Sequence, residues 1–329
     1  MQGRRRKLEN NGTCEIVIVG SAHTDLQLYP VGRDVLEKPS YSVKQMLLTV
    51  GGDAINEATV LTHLGHKVKL VTCIGKDSIG DFVIEHCTKN KIDTSCIKRD
   101  PEKTTSINVG LVAEDGERTF INNRSGSIWT FAPKDVNLDA VSEGKILSFA
   151  SIFNNPLLDE SIMIPLFKKA KDRGMIICAD IVASKNGETI DSIRNALPYI
   201  DYFFPNYTEA KEIAKKDSLD EIADVILGCG VKNVIIKTGK EGCFIKNIGT
   251  TLRIPAYPKA KCIDTTGAGD NFASGFISGL LEGRDLKACA EFANCTASVS
   301  VEKIGATAGV TDRETVEERF REYKKILNR

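Results

Sequence analysis

The chain carries no excess charge of either sign: 44 Lys and Arg balance 44 Asp and Glu over 329 residues. A balanced composition offers no broad basic field, so it does not advertise nucleic acid or an anionic membrane as a partner. Long apolar runs are also missing, and none approaches the about 20 residues that cross a bilayer. None of the ten cysteines sits in a Cys-x-x-Cys pair, which removes the usual metal and redox spacing. Cys73, Cys178, Cys243 and Cys295 instead fall in apolar stretches, as packed thiols do in a reducing cytoplasm. The basic start Arg4 to Lys7 runs into polar Glu9-Asn10-Asn11, and the apolar run Ile16 to Val19 is too short for a signal-peptide core. A solvated N-terminus is expected there. Neither a Gly-x-x-x-x-Gly-Lys-Ser/Thr loop nor a Gly-x-Gly-x-x-Gly fingerprint occurs, which argues against a P-loop enzyme and a Rossmann oxidoreductase.

What is present is a regular alternation. Short Val/Ile-rich runs at 15–20, 67–73, 145–149, 175–179, 202–204 and 233–237 read as strands buried on both faces. Helical patterns lie between them. Asn56 to Leu64 stops at Gly65, Ser218 caps a helix carrying Leu219, Ile222, Val225 and Ile226, and Val316, Phe320, Tyr323 and Leu327 form one stripe of the last helix. This order predicts a doubly wound, mostly parallel α/β sheet flanked by helices, in one domain over 1–329. Two segments break the pattern. Thr104 to Asn122 reads as a hairpin turning at Asp115-Gly116, and Leu26 to Val50 has no helical period. Paired, the segments at about 26–50 and 104–125 make a small sheet that suits a lid over a binding cleft.

The most informative string is Asp264-Thr-Thr-Gly-Ala-Gly-Asp-Asn-Phe272, followed by a helix with Phe272, Phe276, Ile277, Leu280 and Leu281 on one side. Gly267-Ala268-Gly269 thus stands at a helix N-terminus, where bare backbone and free N–H groups suit an anion. Asp270 falls in the first turn. A carboxylate beside an anion site is repelled by the anion, so its use there is to take a proton from an attacking hydroxyl, as phosphoryl transfer requires. Read plainly, the same string is a tight turn with an acidic first-turn residue.

The string resembles the C-terminal signature of the ribokinase-like (PfkB) carbohydrate kinases. A second string in the N-terminal half is similar to that family's other signature: Gly51-Gly52-Asp53-Ala54-Ile55-Asn56-Glu57-Ala58, then Leu64-Gly65, then Ile74-Gly75-Lys76-Asp77-Ser78-Ile79-Gly80. Family-like features run from about Ile16 to Gly309. The resemblance implies a kinase that uses ATP and Mg²⁺ to phosphorylate a hydroxyl, most readily a primary CH₂OH, of a sugar or sugar-like molecule. It makes Asp270 the catalytic base and the amides of Gly267, Ala268 and Gly269 an anion hole. Asp25 and Asn56 would grip the sugar, with Gly51 and Gly52 allowing close approach and His23 beside them. Ribokinase has an asparagine where this chain has His23, a departure that counts against ribose. Alone, His23 reads as a structural residue, and only its place beside Asp25 sets a substrate role level with that; a plain turn residue is the lesser reading of Asp25.

Asn206 and Glu209 fit a helix capping box by spacing; in the family this pair lies near Mg²⁺ and the phosphates, Glu209 acting through water. Thr238, Gly239 and Gly242 form either a plain hairpin turn or the turn that meets ATP. Asn294 matches a residue lining the adenine pocket. Asp264, Thr266, Ser300 and Gly305 match the region where many members hold K⁺. Lid sheets in the family can pair between subunits, so a homodimer is expected. A nucleoside kinase on the same fold and a sugar-binding regulatory protein without catalysis are the alternatives. His63 and His66 are read as structural, Trp129 and Phe131 as packing residues, and His23, the lid residues and Arg124 as what selects the sugar.

Overall fold

The computed structural model describes residues 14–115 and 117–327; the expectations for Arg4 to Lys7 and for Gly116 lie outside them. Thirteen strands are present among the described residues: β1 (Ile16–Val19), β2 (His23–Tyr29), β3 (Gln45–Gly51), β4 (Val68–Gly75), β5 (Ile97–Asp100), β6 (Ile107–Val112), β7 (Arg118–Asn122), β8 (Ile146–Ile152), β9 (Ile176–Ile181), β10 (Tyr202–Phe203), β11 (Asn233–Lys237), β12 (Cys243–Asn247) and β13 (Thr250–Ile254). The helices are α1 (Asp53–His63), α2 (Ser78–Lys89), the single turn α3 (Ser127–Thr130), α4 (Glu160–Asp172), α5 (Tyr207–Ala214), α6 (Leu219–Gly228), α7 (Ala268–Leu281), α8 (Leu286–Ser300) and α9 (Arg313–Leu327).

Nine strands form one sheet in the order β13-β12-β11-β10-β9-β8-β1-β4-β5. It is parallel from β5 to β11, and β12 and β13 add an antiparallel edge. The residues of β1 show why both faces are covered. Val17 and Val19 enter one apolar cluster, with Phe149 and Phe167, while Ile16 and Ile18 enter the other, with Ala54 and Phe276. Alternate side chains of a strand point to opposite faces, so an unbroken apolar run requires helices on both. Because β8 lies on one side of β1 and β4 on the other, a crevice opens beyond the carboxyl end of β1, where open α/β sheets bind ligands.

A second sheet, β3-β2-β6-β7, stands apart. It begins at His23 rather than near residue 26, so Asp25 is a strand residue and not a turn residue. Its register places one group of apolar side chains together. Leu26 pairs with Leu48 and Val109, Leu28 with Met46, and Val109 with Ile121, so all six lie on one face. Asp25 pairs with Thr49 and Asn108, and Asn108 with Asn122, so these lie on the other. One face is apolar and uncovered, with Met46 65% and Ile121 55% exposed; the other holds the polar residues together with Leu47 and Phe120.

Helices α7 and α8 pack closely. A Cβ at Gly275 would stand 2.4 Å from Thr296 Oγ1 and 2.9 Å from Ala293 Cα. Gly275→Val should therefore lower stability by about 1–3 kcal/mol, as overpacking does. Chemical denaturation reads this out, and an unchanged midpoint would contradict so close a contact.

Candidate active site

Four segments converge beyond the carboxyl ends of the central strands. The first is the glycine-rich turn into α7. Gly267 takes a left-handed conformation with φ 71°, and Asn271 Nδ2 pins the turn by donating to Gly267 O at 2.8 Å and Ala306 O at 2.7 Å. Of the three amides expected to form an anion hole, that of Ala268 is spent on Thr265 O at 3.1 Å, because the turn is tight. Those of Gly267 and Gly269 have no backbone acceptor among the described residues. Asp270 stands directly behind them. Its Oδ2 accepts from Asn56 Nδ2 at 2.8 Å, joining the two signature strings across 214 residues. Burial, then the charge of Asp53, holds the Asp270 carboxyl well above the ordinary carboxylate range.

The second segment is the start of the polar sheet face and of α1. A Cβ at Gly51 would fall 1.9 Å from Asp25 Oδ2, so any other residue there would have to displace the Asp25 carboxylate. Gly52, with φ 112°, lies against His23 and Ser21. His23 is 6% exposed; its Nε2 meets Asn108 Nδ2 at 2.9 Å and lies 3.4 Å from Asp25 Oδ1, while its buried Nδ1 has no partner. Asp53 opens α1 and accepts from Asn154 Nδ2 at 2.9 Å; that amide also donates to Ser21 Oγ. Lys185 donates to the carbonyl and to Oδ1 of Asn154, each at 2.7 Å. It also faces the Trp129 ring at 5.3 Å, and Arg124 approaches the same ring at 5.0 Å. Phe131 is core, as expected, but Trp129 is only partly covered and lies between two cations.

The third segment is the start of α5, where Asn206 and Glu209 form a complete capping box. Asn206 Oδ1 accepts from Glu209 N at 2.9 Å, and Glu209 Oε2 accepts from Asn206 N at 2.7 Å. Burial and the neighbouring Asp180 push the Glu209 carboxyl up to about 7. The fourth is the turn after β11. Thr238 donates its N–H to Gly242 O at 2.8 Å, and Gly239 and Gly242 take positive φ, so the chain makes a hairpin into β12. Lys237, the last residue of β11, is ion-paired with Asp180 beside Gly269 and Glu209.

The remaining expected residues serve the architecture visibly. Asn294 is buried and spends its amide on Ile254 O and Pro255 O, so those donors are not offered to a base. Asp264 Oδ1 accepts from Thr266 N and Oγ1, and its Oδ2 from Gly305 N at 2.9 Å, which ties the 300–309 loop to the turn. Ser300 Oγ donates back to Ala297 O. His63 bonds Val310 O and Asn90, whereas His66 meets Ser278, so the two form no metal pair.

A profile described as pfkB family carbohydrate kinase matches residues 14–313. The chain belongs to this family. It is 30% identical over 313 residues to a ribokinase of Staphylococcus aureus, covering 91% of this chain and 97% of that protein. It is 28% identical to a nucleoside kinase of Methanothermobacter thermautotrophicus, covering 93% and 95%. A ribokinase of Thermotoga maritima superposes with a TM-score of 0.81 at 26% identity, covering 94% of this chain and 99% of that one.

Sequence reasoning passed over Asp180, Lys237, Asn154, Lys185 and Glu57. Glu57 has the clearest signal, a glutamate on the buried side of an apolar helix. It is 1% exposed, accepts from Ser148 Oγ at 2.6 Å, and burial pushes its carboxyl up to about 8. A carboxyl with a raised folded pKa binds its proton more tightly when folded, so this stabilisation is present at acid pH and is lost as pH rises toward 8. Glu57→Gln keeps the acceptor for Ser148 and removes the titration. Its thermal melting point should gain on that of the unsubstituted protein between pH 5 and pH 8; a constant offset would count against a neutral Glu57.

Proposed function

We propose that this kinase transfers the γ-phosphoryl group of Mg·ATP to a hydroxyl, preferentially a primary CH₂OH, of a sugar or sugar-like molecule, with Asp270 as general base. The carrying observation is Asp270 itself: a carboxylate held by Asn56 in the first turn of α7, beside the bare amides of Gly267 and Gly269. The amides and helix dipole favour the phosphoryl oxygens. With Oδ2 occupied by Asn56, Oδ1 is left to accept the acceptor's proton. Asp25, His23, Gly51, Gly52 and Asn56 form the sugar end, and the unpartnered Nδ1 of His23 is an orphan polar atom that ligand rearrangement can satisfy.

The nucleotide end consists of the Asn206 turn and the Thr238, Gly239 and Gly242 hairpin, with Asn294 bracing the strand behind. Glu209 suits a water-mediated role toward Mg²⁺, because a hard divalent cation relieves the crowding of buried carboxylates there. That ion supplies charge neutralisation to the phosphates when bound. Asp264, Thr266, Ser300 and Gly305 organise a carbonyl-rich loop suited to K⁺. The polar face of the small sheet is the lid over the sugar, and its closure excludes water. Its apolar face is the homodimer contact, which would cover an otherwise exposed surface. Ten unpaired cysteines fit a cytoplasmic setting.

A coupled ADP-release assay across sugars, sugar acids and nucleosides, run in K⁺ and in Na⁺, tests the reading and separates the nucleoside alternative. Asp270→Asn should cut kcat about 10²-fold or more while Mg·ATP still binds; near-normal turnover would refute the base. Because the base must be ionised and its pKa is raised, kcat/KM should fall on the acid side above the ordinary carboxylate range. Light scattering should give twice the chain mass, and Leu48→Glu should return it to a monomer; a monomeric mass for the unsubstituted protein would sink the dimer.

A further inference from the structure

Lys237 is the cation enclosed by the carboxylates of the cleft. Asp53 and Asp180 raise the proton affinity of Glu57, Glu209 and Asp270 there. The Lys237 side chain is 13% exposed, and its ammonium is ion-paired with Asp180 at the end of β9. Asp180 is itself fixed, since its Oδ1 accepts from Ile181 N at 2.8 Å. Burial works against the Lys237 charge, but Asp180 and Glu209 outweigh it, so the ammonium is held protonated. The Lys237 N–H donates to Pro205 O at 2.9 Å, which ties the end of β11 to the capping turn of α5.

Two facts aim this ammonium at the reacting group. A Cβ built at Gly269 would stand 3.1 Å from Lys237 Nζ, so the ammonium lies against the bare first turn of α7. An ammonium carries three N–H donors, and Asp180 is the one hydrogen-bond acceptor they meet among the described residues. Stability alone does not account for it, because a buried ion pair is often no better than well-packed apolar residues.

We propose that Lys237 is a catalytic residue of phosphoryl transfer, its ammonium held by Asp180 against Gly269 and donating to an oxygen of the phosphoryl group seated at the α7 N-terminus. This rests on the kinase reading above. The acceptor oxygen bonds to phosphorus as the bond to the β-phosphate oxygen breaks, and that oxygen leaves with the electron pair as ADP. The acceptor's proton passes to Asp270. Lys237 stays protonated throughout and meets the charge that spreads over the phosphoryl oxygens.

The test is the full chain carrying Asp180→Asn and Lys237→Met together, which removes the pair without stranding a buried charge. Turnover, sugar KM, the pH profile and Mg·ATP affinity by calorimetry are measured beside the unsubstituted protein. The expected result is a kcat lower by about 100-fold with sugar KM within about threefold. The acid limb of kcat should move little in this double variant, because losing the Asp180 charge lowers the Asp270 pKa while losing the Lys237 charge raises it. A cooperatively melting variant with kcat within about threefold, or a loss confined to sugar KM, overturns the proposal. If the double variant does not fold, Lys237→Gln, which leaves Asp180 a hydrogen-bond partner, is judged by the same criteria. If the unsubstituted protein binds Mg·ATP but phosphorylates nothing, the kinase reading falls. The role of Lys237 toward phosphate is then decided by affinity: about tenfold weaker Mg·ATP binding in the variant sustains it, and equal binding ends it.

Discussion

Acidic groups gathered in a poorly hydrated cleft are the constraint to which the rest of the site answers. Taking a carboxylate out of water costs several kcal/mol unless it is paired or protonated. The chain uses both solutions. Glu57 and Glu209 hold their protons more tightly than ordinary glutamates, and Asp180 faces Lys237. Among the described residues Asp270 is bonded to no cation; it is buried and accepts one amide, from Asn56. A carboxylate prepared in this way gains a proton readily, which is what the proposed base role asks of Asp270. The surplus of negative charge also makes the cleft receptive to a divalent cation arriving with a nucleotide.

The small sheet solves a different problem with the same economy. Strand periodicity assigns alternate residues to opposite faces, so seven residues of β2 carry two surfaces at once. His23 and Asp25 join the polar face, while Leu26 and Leu28 join the apolar one. A one-residue slip would exchange these faces and bring leucines to the cleft. The glycine opposite His23 leaves room for the Asp25 carboxylate, which occupies the space a Gly51 side chain would fill. Sugar-end geometry and sheet register are therefore one constraint.

The fold was largely legible because its signals are local. Val/Ile runs, glycine stops and the switch from period 3.6 to period 2 each need only a few neighbours in sequence. Residues 264–272 offered the proposed base for the same reason: a helix start with small residues is written in one place. Lys237, Asp180 and Asn154 were invisible because each is an ordinary residue at the end or just beyond the end of a strand, and its role comes from strands brought side by side. Asn154 meets Asp53 across 101 residues and Lys237 meets Asp180 across 57. Ala268 failed differently: its amide lies within the expected anion hole, but a turn tight enough to open that hole uses it internally.

Asn206 and Glu209 show why a structural and a chemical reading of one motif need not compete. The capping box is complete, yet it uses only one oxygen of Glu209, the Oε2 that accepts from Asn206 N. The cap fixes the side chain's direction, burial raises its proton affinity, and the second oxygen stays uncommitted to the cap. Structure here prepares the group: a carboxylate without the cap would lose rotamer freedom on meeting a hydrated cation, whereas this one has lost it in folding. The same logic covers Asn56, whose bond to Asp270 both closes the signature turns on one another and sets which oxygen of the base faces the acceptor.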